Sequence, residues 1–159
     1  MYNLAHDLLD ALQATPEVLE ALLAGYTQEQ ATAARGGDEG WSVVEVVCHL
    51  RDAEEQALSR LHLMRDTPGP VIAAYDQERW ARERNYTETS LHEAMAAFTR
   101  LRAQQVAELA KLSPQERERS GQHEEQGTIT ISSHTLHIVA HDALHAAQIA
   151  RQLKSVAWS

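Results

Sequence analysis

Four of the chain's nine histidines fall within the stretch HTLHIVAHDALHAAQ, His134 to Gln148. A neutral imidazole carries a nitrogen lone pair, so histidines repeated at helical spacing are the raw material of a metal site. An α-helix turns about 100° and rises about 1.5 Å per residue. With His137 at zero, His141 lies at about 40°, His145 at about 80°, His134 at about 60° and Gln148 at about 20°. They form one stripe, but not one site. His137 and His145 are about 12 Å apart along the axis, too far for one ion with bonds near 2.1 Å. Only side chains one turn apart, about 5–6 Å, can chelate together. The spacing therefore offers His137/His141 or His141/His145, and a further ligand must come from another helix.

His49, within WSVVEVVCHLRDAE and flanked by Val46, Val47 and Leu50, borders an apolar stripe and is the candidate for that ligand. Two histidines on one helix and a third on its neighbour leave a divalent ion with open positions, the arrangement of catalytic rather than structural sites. The competing explanation is plain: the HxxxH pairs lack the glutamate of HExxH, and helical histidines also occur as surface or hydrogen-bonded core residues.

The elements that must position these side chains read as helices. Tyr2 to Ala14 sets Leu4, Leu8, Leu9 and Leu12 on one face. Thr15-Pro16 reads as the start of a separate short helix to Leu23, stopped by Gly25. Ser42 and Glu45 form a capping box that opens a helix from Val43 to about Arg65, before Pro68-Gly69-Pro70, with Val43, Val46, Val47, Leu50, Ala57, Leu58 and Leu61 on its buried side. A linker holds Tyr75, Trp80 and Tyr86, with a short helix near Asp76 to Arg82. Ser90 and Glu93 form another capping box, opening a helix through Ala110. Ser113-Pro114-Gln115-Glu116 starts one more turn. Arg119 to Gly127, with His123, reads as a polar loop, and the last helix runs from near Thr130 to about Lys154. No stretch carries an alternating strand pattern. The expected architecture is all-α, a four-helix bundle with short extra helices in the connections, as one domain over residues 1–159.

Composition narrows the partners. The 159 residues are 43% hydrophobic and 23% charged, with a net charge of −9. No clustered basic stripe offsets that charge, which argues against nucleic acid and anionic membrane surfaces as partners. No apolar run is long enough to span a bilayer. The acidic MYNLAHDLLD start and the lone Cys48 point to a reducing, cytoplasmic setting.

Several stretches together resemble the DinB-like superfamily, which also contains the YfiT-type metal-dependent proteins. They are GWSVVEVVCHLRDAE (Gly40 to Glu54), SGQHEEQGTIT (Ser120 to Thr130), GTITISSHTLHIVAHDALHAAQIARQL and the early TPEVLEALLAG, in the family's order and covering most of the chain. The resemblance implies an up-down-down-up four-helix bundle and a divalent metal, most often nickel or zinc, with iron or cobalt also suited to the donors. It implies His49, His141 and His145 as the ligands, with His134 and His137 beside the site. Asp142, following the first ligand of the pair, is expected either to support the ligands from behind or to be helix-surface charge. Asp52 and Glu54, which also match the pattern, are expected to be salt-bridged or solvated helix-face residues or to take a metal role. Cys48 is expected to be a buried, inert thiol, Trp41 to staple the helix entrance, Trp80 to pack on the bundle, and His123 to be an exposed loop residue.

In function, the resemblance points to a metal-dependent S-transferase using a low-molecular-weight thiol of the bacillithiol or mycothiol type, or to a hydrolase, with Gln148 orienting the small-molecule substrate. Homodimers are common among such proteins. The alternative is a non-catalytic metal- or small-ligand-binding stress-response protein, since no general base or nucleophile stands out beyond the three histidines.

Overall fold

The computed structural model describes residues 3–157; the expected helix start at Tyr2 lies outside them. Four long helices carry the fold: α1 (Leu4–Leu23), α3 (Val43–Asp66), α5 (Leu91–Ala110) and α7 (Ile131–Lys154). Between them lie α2 (Gln28–Ala33), α4 (Gln77–Glu83), a 3-10 turn (Tyr86–Glu88) and α6 (Pro114–Arg117). The bundle neighbours are α1 with α5 and α7, and α3 with α5 and α7.

Side-chain pairs give the directions. Val46 and Val47 share a core with Ala94 and Phe98, Glu54 meets Arg102, and Arg65 meets Glu108, so α3 and α5 run parallel. His49 meets His141, while the Val43 end of α3 packs with Ile149 and Leu153, so α3 and α7 are antiparallel. Leu12 bonds Arg102 while Leu23 and Leu91 line one groove, so α1 opposes α5. Thr15 bonds Asp142, and Leu19 and Leu23 pack with Ile149 and Leu153, so α1 follows α7. In chain order this is up-down-down-up.

Thr15-Pro16 does not divide the first helix: α1 is continuous, with Pro16 buried inside it. A proline there leaves the carbonyl four residues earlier without its amide donor. That carbonyl, on Leu12, instead accepts from Arg102 Nη1 at 3.0 Å. Tertiary structure thus seals the break that local sequence rules predict.

The Ser42/Glu45 capping box forms as expected, with Glu45 N donating to Ser42 Oγ (3.2 Å) and Ser42 N donating to Glu45 Oε2 (2.8 Å). It sets the entry of α3, whose first eight residues are all buried. Ser42→Ala is expected to cost about 1 kcal/mol, read as a lower midpoint in urea unfolding.

The connections also contain short strands. A hairpin pairs β1 (Arg35–Gly36) with β2 (Trp41–Ser42). A three-stranded sheet joins β3 (Val71–Ile72) parallel to β4 (Ser120–His123), which pairs antiparallel with β5 (Gly127–Thr130). The expected loop at Arg119 to Gly127 is therefore half of a sheet, and His123 is fixed at the end of a strand. Gly121 lets β4 approach: a Cβ there would stand 2.6 Å from Ile72 Cδ1 and 3.0 Å from the Pro70 carbonyl. No helix among the described residues is long and apolar enough to cross a membrane.

Candidate metal centre

His49 lies in the second turn of α3 and His141 and His145 one turn apart on α7, and the antiparallel crossing of these helices brings the three rings together. Ring centroids are 5.0 Å apart for His49/His141, 4.8 Å for His49/His145 and 4.4 Å for His141/His145. His49 Nε2 stands 2.9 Å from His141 Nε2. One ligand nitrogen from each ring lies within 4.8 Å of the others. Two donors on one ion with bonds of about 2.1 Å can be at most about 4.2 Å apart, so a small ring rotation closes the set. The donor set therefore fits a divalent cation.

Electrostatics favour the ligand form of these side chains. Burial, with a smaller contribution from the neighbouring His145, lowers the His49 pKa to about 3. Burial, then His145 and His49, lowers that of His141 to about 2. Both rings are neutral near pH 7, the state a metal ligand requires. His145 Nδ1 lies 2.8 Å from Gln148 Oε1. An amide oxygen only accepts, so Nδ1 carries the proton and the Nε2 lone pair is left free. Gln148 thus orients the His145 ring. Gly37, at φ 74°, gives it room: a Cβ there would meet Gln148 Nε2 at 2.6 Å. Trp41 packs on the His49 ring at 5.2 Å and Tyr75 stacks on it at 6.4 Å, walling it from water.

The other histidines are near but apart. His137 is exposed, one turn from His141 with centroids 6.1 Å apart, and does not join the cluster. His134 is buried and stacks on His137. His123, expected in an exposed loop, is also buried. His134, His137 and His123 line a cavity of about 230 Å³ together with His49 and His141. His145 faces a separate groove beside Gly37 and Gln148.

Asp142 is not helix-surface charge. It is buried, and Arg102 spans it and Glu54: Nη1 to Asp142 Oδ2 at 2.7 Å, Nη2 to Asp142 Oδ1 at 3.1 Å, and Nη2 to Glu54 Oε2 at 2.8 Å. Burial opposes the Arg102 charge, but these bonds outweigh it and raise its pKa. Asp52 is buried in ion pairs with Arg51 and Arg84 and accepts from the Tyr86 hydroxyl at 2.6 Å. Cys48 is buried, and desolvation raises its pKa, as befits an inert thiol. Arg84 covers the Trp80 ring at 3.7 Å. Around the ligands, Gln148 touches His145 within α7 itself, whereas Arg102 joins α5 to α3 and α7, a partnership that no local spacing reveals.

Comparison with known proteins agrees with this architecture. The sequence profile of the DinB superfamily matches residues 11–149. A protein of Oceanobacillus iheyensis, named "putative metal-dependent hydrolase", is 29% identical over 154 residues, 96% of this chain and 88% of its own. One of the same name from Geobacillus kaustophilus is 26% identical over 150 residues, 93% and 83% of the two chains. The structure of YfiT from Bacillus subtilis, described as having an unusual four-helix bundle topology, superposes with a TM-score of 0.87 at 25% identity. That match covers 98% of this chain and 89% of the other. With the profile spanning most of its length and the fold shared end to end, the chain belongs to the DinB superfamily.

Proposed function

We propose that the protein is a divalent-metal-dependent enzyme acting on a small molecule, with His49, His141 and His145 as ligands and nickel or zinc as the metal. The observation that carries this is the convergence of three imidazoles from two helices, with nitrogens within 4.8 Å. A bound cation would supply Lewis acidity, lowering the pKa of a water or thiol so that a nucleophile exists near neutral pH. The chain's own residues prepare the place. His49 and His141 stay neutral, Gln148 holds the His145 tautomer, and Trp41 and Tyr75 exclude water from one side. The cavity bounded by His49 and His141 is where a substrate would enter. Its acidic neighbours Glu54 and Asp142 are compensated by Arg102, which leaves three neutral donors and no protein carboxylate on the ion. Such a site suits activation of a low-molecular-weight thiol for transfer to an electrophile, or of water for hydrolysis.

Elemental analysis of protein purified without an affinity tag is expected to find about one divalent ion per chain, lost in His49→Ala, His141→Ala and His145→Ala. Full retention in His141→Ala would reject the ligand set. Gln148→Ala is expected to weaken metal binding about 10-fold while leaving the fold intact, measured by competition with a chromogenic chelator. Turnover of an electrophile with a cellular thiol, lost with chelator and restored by metal, tests the enzymatic reading. Thermal stabilisation by metal without turnover of thiol or ester substrates would instead identify a binding protein.

A further inference from the structure

The cavity has a second wall that the three-histidine cluster does not use. On it, His123 Nδ1 accepts from the backbone amides of Glu125 (3.2 Å) and Gln126 (3.4 Å). In the neutral ring the proton is therefore on Nε2, which is buried without a partner. His134, also more than nine-tenths buried, leaves its Nε2 unpartnered. Arg60 reaches the same wall from α3. Its Nη2 donates to the Ala73 carbonyl at 3.1 Å and its Nε is buried with no acceptor. Among the described residues, no carboxylate lies within the 4.0 Å ion-pair distance of its guanidinium.

A half-buried guanidinium with no close ion pair, opposed only at longer range by the exposed Glu125, and two buried ring nitrogens without partners are each unfavourable when left empty. An oxyanion accepts from Arg60 and from His123 Nε2, and from His134 Nε2 in the tautomer that carries its proton there. A second cation does not fit, because the Arg60 charge acts on both rings and would repel it. The other acidic groups lining the cavity do not take the role: Glu54 and Asp142 are engaged by Arg102, and Glu125 is exposed at the rim. The cavity holds about eight water-sized groups at ~30 Å³ each, enough for a small substrate with one charged end.

We propose that the wall formed by Arg60, His123 and His134 is an oxyanion subsite. It takes a carboxylate or phosphate group of the small molecule whose reacting end meets the His49 and His141 side of the metal site, which lines the same cavity. Only that second contact rests on the proposed metal-dependent function. Substrates would then be acidic, and a thiol co-substrate bearing a carboxylate would be held by the same wall.

Propionate and inorganic phosphate, titrated separately by calorimetry into the metal-loaded protein and into His145→Ala, test this. Saturable binding is expected for at least one probe, and the preferred probe identifies the oxyanion. Binding should weaken at least 10-fold in Arg60→Gln and several-fold in Arg60→Lys, which keeps the charge but loses the planar fork. His134→Phe, which keeps the ring volume, should also weaken it several-fold. Persistence in His145→Ala separates this subsite from the metal, so it can stand if the metal reading fails. No saturable binding would overturn the proposal. So would binding that disappears in His145→Ala but is unchanged in Arg60→Lys and His134→Phe.

Discussion

Replacing Arg102 with methionine is expected to destabilise the protein by about 3–5 kcal/mol, the largest effect of any single substitution in the bundle. The side chain is 2% exposed and lies between Glu54 and Asp142, themselves 1% and 4% exposed. Removing the cation leaves two carboxylates in a low-dielectric interior with no counter-charge. It also removes the donor that the Leu12 carbonyl needs because Pro16 has no amide hydrogen. Gln105, its amide oriented to donate to Glu54, cannot replace a positive charge. The measurement is urea unfolding monitored by circular dichroism at pH 7. Burial already raises the Glu54 pKa, and without Arg102 that carboxyl should take up a proton more readily. The deficit should therefore shrink as pH falls, since protonation removes the uncompensated charge. A loss below about 1 kcal/mol would mean that the pair contributes little beyond its desolvation cost.

The second large effect is acid destabilisation of the metal-free protein between pH 6.5 and 4.5. The pKa of His134 is lowered to about 3 by burial, first, and by the charge of Arg60; His49 lies at about 3 and His141 at about 2. All three are below the unfolded value near 6.5, so in this window the unfolded chain binds more protons than the folded one. Their contribution is intact above pH 6.5 and is lost as pH falls towards their folded values. Each ring accounts for up to about 1.4 kcal/mol per pH unit. Ion-paired carboxylates such as Glu55, whose pKa is lowered by its bond to Arg84, act in the same direction but mainly below their unfolded values. Glu54 acts in the opposite direction. Thermal melts at successive pH values should show a steady fall from pH 6.5 to 4.5, and His134→Gln should flatten it. Stability independent of pH across this window would show that these rings are more accessible to water than their burial implies. Excess divalent metal should raise the whole curve without steepening it through His49 or His141, because both rings are already unprotonated in the folded chain across this window.

Much of this molecule is written in short-range pattern. The long helices follow from apolar spacing and from caps such as Ser42/Glu45, because a helix is stabilised by contacts three or four residues apart. The same locality makes the histidine stripe legible and limits chelation on α7 to one pair, without choosing between His137/His141 and His141/His145. Resemblance selected the second pair, and the crossing of α3 over α7 brings that pair to His49. The strands escaped notice because two to four residues carry too little alternation to register. His123 therefore looked like a loop residue, although pairing of β4 with β3 and β5 buries it.

Asp142 and Arg102 show the limit most clearly. Each alone reads as a charged residue on a helix, and only packing of α1, α3, α5 and α7 makes them partners. The same packing rescues the helix at Pro16. Local sequence determined which segments are helical and which imidazoles share a face. Tertiary structure decided which charges are buried together, which nitrogens are left without partners and where the cavity lies. Those properties depend on desolvation by residues distant in the chain, and no spacing rule encodes that.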